Sequence, residues 1–432
     1  MWLYPLVDGG FALGLNAKGA KYCKESDLNQ VAAENNPGNM KKIHGCLIVQ
    51  PRQKKEKPVV RAKFDQTILA LQGGGALGAY QAGVYEGLAE AGLMPSWVVG
   101  ISIGGINAAI IAGNPPERRV ERLRTFWDRV SSYAPLTMPA WLEAMRPALN
   151  SLSAAAVMSF GIPAFFVPRV PSPFFAADNT PGALSFYDTS PLNRTLEELV
   201  DFDLINSRKV RLSLGAVKVL DGSSVYFDSS RTRITADHVR ASGSLPPGFP
   251  PVTIEGEDYW DGGIVTNSPL AYVADEKPRT RVLVVAVDVF NARGEFPRNL
   301  DQVQERAKDI QYASKMRLNT ERFRELGEMR AALGRLLRKL PPGFEADPDV
   351  QKLAPLCDER EYTIARIINR RTTKSGNSKD YEFSRATVNE AWAAGREDVR
   401  RSKDNIEWMQ PMDLAPGVRV YDLPPGADLP GK

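Results

Sequence analysis

Apolar and polar positions switch between two periods along the chain, and the clearest switch lies between Thr67 and Ala112. Thr67-Ile-Leu-Ala-Leu-Gln72 is a short apolar run that predicts a buried strand. The glycine-rich turn Gly73–Gly78 follows, and Ala79 to Ala91 then reads as a helix closed by Gly92. The same order repeats at once: a buried strand at Trp97-Val-Val99, a tight turn Gly100-Ile-Ser-Ile-Gly104, and a helix from Ile106 to Ala112. Strand, turn and helix repeated in this way predict a parallel sheet with right-handed crossovers, both glycine turns lying at its carboxyl end.

Further along, Val120, Leu123, Phe126, Trp127 and Val130 recur at helical spacing and predict a core-packed helix. Tyr133 to Phe186 is rich in proline, carries Phe160, Phe165, Phe166, Phe174 and Phe175, and follows neither period. Two readings of it stand level: a cap over an acyl-chain pocket able to meet a lipid surface, or a decoration packed on the domain's own core. Asp221-Gly222 between two β-forming runs predicts a hairpin. Arg281 to Phe290 is nearly continuous in branched apolar residues, as a central parallel strand requires. Asp301 to Leu340 and Glu382 to Trp408 predict charged helices, solvated on most faces, and Val418-Arg-Val-Tyr421 predicts a strand returning to the sheet's edge. The expected fold is α/β: a three-layer sandwich around a mainly parallel sheet. The expected organisation is a largely irregular leader (1–63), a catalytic domain (64–292) with an apolar insertion at 133–186, and a mostly helical C-terminal extension (293–432).

The second glycine turn carries the sharper chemistry. Gly-x-Ser-x-Gly between a strand and a helix is a nucleophile elbow, which lifts the Ser102 hydroxyl above the sheet while Gly100 and Gly104 relieve crowding. A serine that only caps the following helix is the plainer alternative. The first turn has three readings. Gly73, Gly75 and Gly78 match a dinucleotide fingerprint, but no acidic residue closes the second strand to take a ribose. A phosphate-binding loop needs Lys-Ser/Thr where Ala79-Tyr80 stands. The third reading is an oxyanion hole built from the N–H groups of Gly74 and Gly75 and the dipole of the helix at Ala79. That reading needs a nucleophile nearby, and Ser102 supplies one.

A serine nucleophile needs a base. The two histidines, His44 and His238, are poorly placed: one stands in a polar leader, the other at an expected exposed helix start. No histidine follows position 238, where a hydrolase running Ser, Asp, His needs one. Asp261, presented by the glycine pair Gly262-Gly263 after a short strand, is the alternative base.

With Gly73–Gly78, Gly100–Gly104 and Asp261–Gly263 in this order, the chain resembles the patatin-like phospholipase family, in particular its bacterial-type lipid acyl hydrolases. Ala241–Pro251 and Asn267-Ser-Pro-Leu270 add to the resemblance, which runs from about Phe64 to Phe290. It implies an α/β/α patatin-like sandwich and a lipid acyl ester, phospholipid or neutral, as substrate. Ser102 is then the nucleophile and Asp261 the base. Gly73, Gly74, Gly75, Ala76, Leu77 and Gly78 form the oxyanion loop, Gly100 and Gly104 the elbow, and Gly262 and Gly263 the turn that holds the base. It implies no cofactor and no metal. Where many members carry Arg or Lys before the last glycine of the first motif, this chain has Leu77, so a positive charge near the substrate head group is missing there.

Composition narrows the remainder. The net charge of +4 over 432 residues gives no argument for nucleic acid, and the basic stretch Gln50–Pro58 has no interleaved aromatic residue. No run of 18 apolar residues predicts a membrane-spanning helix. Cys23, Cys46 and Cys357 are scattered and odd in number, which suits a reducing compartment. Met1–Val7 is apolar, but no Lys or Arg precedes Lys18 and Asp8 interrupts the run, a poor secretory signal. The expectation is a cytoplasmic protein in peripheral contact with a membrane or lipid surface. A non-catalytic lipid- or granule-surface binding protein on the same fold is the competing class, and the intact motif trio argues against it.

Overall fold

The computed structural model describes residues 64–131, 145–178, 180–276, 281–357, 360–370, 376–403, 406–409 and 417–423, and four short strands within 1–61. The chain divides into two units, Met1–Arg61 and Ala62–Lys432. In the first, Leu3–Pro5, Phe11–Asn16, Gly19–Lys24 and Leu47–Val49 pair antiparallel in chain order, where the sequence pattern predicts a largely irregular leader. His44, Cys46 and the basic stretch Gln50–Pro58 lie outside the described residues.

The second unit is organised on a nine-stranded sheet. Its strands are β1 (Gln66–Leu71), β2 (Trp97–Ile101), β3 (Arg211–Lys218), β4 (Ser224–Asp228), β5 (Val252–Ile254), β6 (Glu257–Asp261), β7 (Arg281–Asp288), β8 (Glu361–Ile368) and β9 (Gly417–Leu423). They lie in the order β5-β6-β3-β2-β1-β7-β8-β9, with β4 paired to β3. From β3 to β9 every neighbour is parallel, while β4, β5 and β6 are antiparallel additions. The strands β1, β2 and β7 are buried on both faces, which is why they read as unbroken apolar runs. The hairpin expected at Asp221-Gly222 joins β3 to β4, with Gly222 at φ 72°.

Helices cover both faces. On one face α1 (Gly78–Glu90), α2 (Ile103–Ala112) and α3 (Pro116–Val130) pack Tyr80, Tyr85, Leu123, Phe126 and Trp127 into the main core. The other face holds a smaller core of Ile68, Ala70, Trp97, Val99, Val282 and Val284 with Leu270, Val273 and Phe323. The proline- and phenylalanine-rich segment is buried in part and exposed in part. Residues 132–144 lie outside the described residues. Helix α4 (Arg146–Phe160) falls within the segment, and α5 (Ser190–Leu199), α6 (Ala236–Ser242) and α7 (Leu270–Asp275) follow it. Phe165 and Phe166 are buried in a ring cluster with Phe126, Phe249 and Phe383. Phe160, Phe174 and Phe175 instead remain 77–82% exposed.

The C-terminal stretch is less separate than a helical extension. β8 and β9 come from it and complete the sheet beside β7, and α9 (Arg385–Ser402) packs along α1. Between them in sequence from β7 runs α8 (Leu300–Leu337), 38 residues long. Among the described residues no helix is long and apolar enough to cross a membrane.

Candidate active site

Strand register brings the two key residues together. On β3, Ile101 of β2 lies opposite Gly215, and Asp261 of β6 lies opposite the next residue, Ala216. Because β2 runs parallel to β3 and β6 antiparallel, their ends point at one another along the same edge. The chain leaves β2 as Ser102 and leaves β6 as Gly262, so the serine and the carboxylate come together. The Ser102 side chain lies close enough to the Asp261 carboxylate to lower its proton affinity.

The turns that hold them are tight. Ser102 has φ 57° and ψ −127°, a backbone conformation that costs a non-glycine residue about 1–3 kcal/mol. Its N–H donates to the Ser242 carbonyl at 2.9 Å, and its carbonyl accepts the N–H groups of Gly105 and Ile106 at 2.8 and 3.2 Å. A Cβ on Gly100 would fall 2.2 Å from the Gly104 carbonyl oxygen, and one on Gly104 would fall 2.4 Å from that of Leu71. Only glycine fits at either place. Ser102 is part-exposed, whereas Asp261 is 1% exposed.

Burial decides the state of Asp261. Desolvation pushes its carboxyl up to about 6, and the nearby Ser102 side chain and a 2.7 Å hydrogen bond from Gly263 N–H offset only part of that rise. Its own N–H is held by the Ser244 carbonyl at 3.0 Å. A Cβ on Gly262 would meet the Gly215 carbonyl at 2.8 Å, so the base turn also needs a glycine.

The first glycine loop crosses the same opening. A Cβ on Gly73 would lie 3.1 Å from Ser102 Cβ and 2.2 Å from Asn267 Oδ1. Three of the loop's N–H groups are engaged: Ala76 donates to the Asp380 carbonyl at 2.8 Å, Leu77 to that of Gly74 at 3.1 Å, and Gly78 to those of Gly75 and Ala76. Among the described residues, the N–H groups of Gly74 and Gly75 make no intramolecular hydrogen bond. Leu77 is buried, and it lines a cavity of about 260 Å³ that Arg293, Arg298 and Arg306 border.

Three supports had no assigned role in the sequence. Asn267 Nδ2 donates to the Gly73 carbonyl at 2.8 Å, fixing that peptide. Ser242 holds the elbow through its carbonyl and donates its hydroxyl to the Gly215 carbonyl at 2.7 Å. Ser244 holds Asp261. All three lie in the stretches 241–251 and 267–270 that the sequence flags without a role.

His238 is not part of this constellation; of the two roles expected for it, surface or capping, it takes the second, at a helix start that is buried rather than exposed. It is 5% exposed, closes a capping box with Thr235 at the start of the helix Ala236–Ser242, and stands edge-on to Phe227. Desolvation holds its imidazole below the usual value. The apolar surroundings come from β4 and β6, which the local sequence around the histidine does not contain. Among the described residues, no group of His, Cys, Asp and Glu is arranged to hold a metal ion.

Comparison with known proteins agrees with this architecture. Residues 69–274 match the family described as patatin-like phospholipase, and residues 310–414 match a second described as patatin phospholipase. The chain belongs to the patatin-like phospholipase family, a class of lipid hydrolases. Among solved structures, VipD from Legionella pneumophila is 14% identical with a TM-score of 0.33, over 80% of this chain and 68% of that one. A chain of the complex of full-length SpcU with full-length ExoU, from the type III secretion system of Pseudomonas aeruginosa, is 17% identical with a TM-score of 0.28. That match covers 68% of this chain and 61% of the other. No curated protein matches the chain.

Proposed function

We propose that the protein hydrolyses carboxylic esters of lipids, phospholipid or neutral, through an acyl-enzyme on Ser102 with Asp261 as the base. The observation that carries this reading is the strand register that sets Ser102 beside a buried carboxylate, which desolvation raises to about 6. Asp261 takes the Ser102 proton as Oγ attacks the ester carbonyl, and the tetrahedral oxyanion is held by Gly74 and Gly75 N–H. The proton on Asp261 passes to the leaving alcohol as the C–O bond breaks. Water then gives its proton to Asp261, attacks the acyl-enzyme, and the proton returns to Ser102 Oγ as the acid departs. Both half-reactions balance with no other reactant.

The exposed aromatic residues suit a substrate presented at a lipid surface. Asp261 N–H is bound to Ser244, Leu245 follows it 46% exposed, and Pro247 accepts the Phe186 N–H at 3.1 Å. The Phe186 ring in turn contacts that of Phe174. A continuous path of neighbours thus joins the base to the exposed phenylalanines, and we take peripheral contact with a membrane or lipid surface to be made there.

The test is a fluorophosphonate probe followed by peptide mapping and a lipid-class hydrolysis panel. Labelling at Ser102 together with release of fatty acid from at least one lipid class is expected. A folded protein that neither labels nor hydrolyses any lipid ester would leave the non-catalytic lipid-binding reading in its place.

A further inference from the structure

The stretch after β7 reaches back to the glycine loop, and its contacts fall on one face of one helix. Glu305, Lys308, Asp309 and Tyr312 are spaced three, one and three apart on α8, so they line one side of it. Lys308 Nζ donates at 2.7 Å to Asp380 Oδ1 and at 2.7 Å to the Asn377 carbonyl. Lys379, 7% exposed, donates to Glu305 Oε1 at 3.1 Å and Asp309 Oδ1 at 2.6 Å. The turn at 377–380 is thereby fastened to α8 by two ammonium groups, that of Lys379 buried and that of Lys308 part-buried.

That turn touches the loop directly. The Asp380 carbonyl accepts the Ala76 N–H at 2.8 Å, and the same oxygen would lie 2.0 Å from a Cβ on Gly75, whose φ is 54°. A second tie runs from Tyr312, whose carbonyl accepts Gln72 Nε2 at 3.3 Å and whose ring packs on Phe290. Gln72 Oε1 accepts the Val289 N–H, and Val289 and Phe290 flank Gly74. The Asp380 and Asp261 charges both reach the Tyr312 phenol.

We propose that α8 and the 377–380 turn form a brace that sets the donor geometry of the glycine loop, with Lys308 as its positioning residue. The Asp380 carbonyl occupies Ala76 N–H and leaves those of Gly74 and Gly75 for the oxyanion. Lys308 holds that carbonyl in place through the Asp380 side chain and the Asn377 carbonyl. The role of the loop in catalysis rests on the function proposed above; the brace itself does not. The C-terminal region is on this account part of the catalytic apparatus rather than an appendage.

Lys308→Met removes the ammonium and keeps the length of the side chain. Its kcat on a soluble short-chain ester should fall at least about tenfold with KM within about twofold of the wild type, because a small misplacement of donors is lost in the transition state. Hydrogen exchange in peptides spanning 72–81 should quicken in the same variant, and Lys308→Arg should recover part of both properties. Arg317→Gln, which breaks only the exposed Arg317–Glu321 pair on the same helix, should match the wild type. A folded Lys308→Met with unchanged exchange at 72–81, or equal losses from Arg317→Gln, would overturn the brace. If Lys308→Met fails to fold, Asp380→Asn keeps the carbonyl and removes the ion pair, and the same two readings decide. A wild-type protein without esterase activity would instead remove the proposed function, and exchange alone would then judge the brace.

Discussion

Asp261 is a carboxylate held where a carboxylate is uncomfortable. With its folded value near 6 against 3.8 for an ordinary aspartate, the native state binds the extra proton between those limits, so stability falls as pH rises from about 4 to 6. The cost is at most about 3 kcal/mol above pH 6. Asp261→Asn removes the charge and keeps an oxygen for Gly263 N–H. Its melting temperature at pH 8 should equal or exceed that of the wild type, and the difference should close as pH falls towards 4. In the wild type, kcat/KM should fall on the acid side with an apparent pKa near 6, since only ionised Asp261 accepts the serine proton. A profile flat between pH 5 and 8 would remove Asp261 from the role of base. Ser102 and Asp261 were legible in the sequence because glycines bracket the serine and a glycine pair follows the aspartate. The buried state of His238 was not, since the rings around it come from other strands. His238→Ala should keep most of the activity, measured on the same soluble ester.

Glycines carry the elements that present these residues, and their reasons differ. Gly104 is forced by a backbone oxygen 2.4 Å from its missing Cβ, whereas Gly222 has φ 72° and nothing within 4 Å. Gly104→Ala should therefore lose activity and several degrees of melting temperature. Gly222→Ala should cost about 1 kcal/mol through backbone strain alone and leave kcat unchanged. Thermal melts with steady-state rates separate the two. Most of the sheet was readable at this scale: β1, β2 and β7 as unbroken apolar runs, β3 and β4 from their turn. β8 was not, because Arg366 interrupts its apolar pattern. The structure accommodates that arginine by pairing it with the buried Asp288 at 2.9 Å and with Asp422 at 3.2 Å. The meeting of β2 and β6 on adjacent residues of β3 is a matter of register, which no local pattern carries.

Across the whole molecule, one end of the sheet gathers the elbow, the base turn and the glycine loop, and the exposed phenylalanines connect to it through 244–248 and 186. Phe174→Asp with Phe175→Asp should reduce hydrolysis of vesicle lipid at least about tenfold and leave a monomeric ester almost unaffected, as burial of two large rings in an acyl layer predicts. Flotation with vesicles checks the binding half of that expectation; equal losses on both substrates would place these residues in folding or catalysis instead. The central claim is that Ser102 and Asp261 act as one unit, and a double-mutant cycle tests it most directly. Ser102→Ala and Asp261→Asn should each lower kcat/KM by several orders of magnitude, and the double variant should lose little more than either, while Asp258→Asn stays near the wild type. Additive losses in the double variant, or a larger loss at Asp258 than at Asp261, would contradict the dyad.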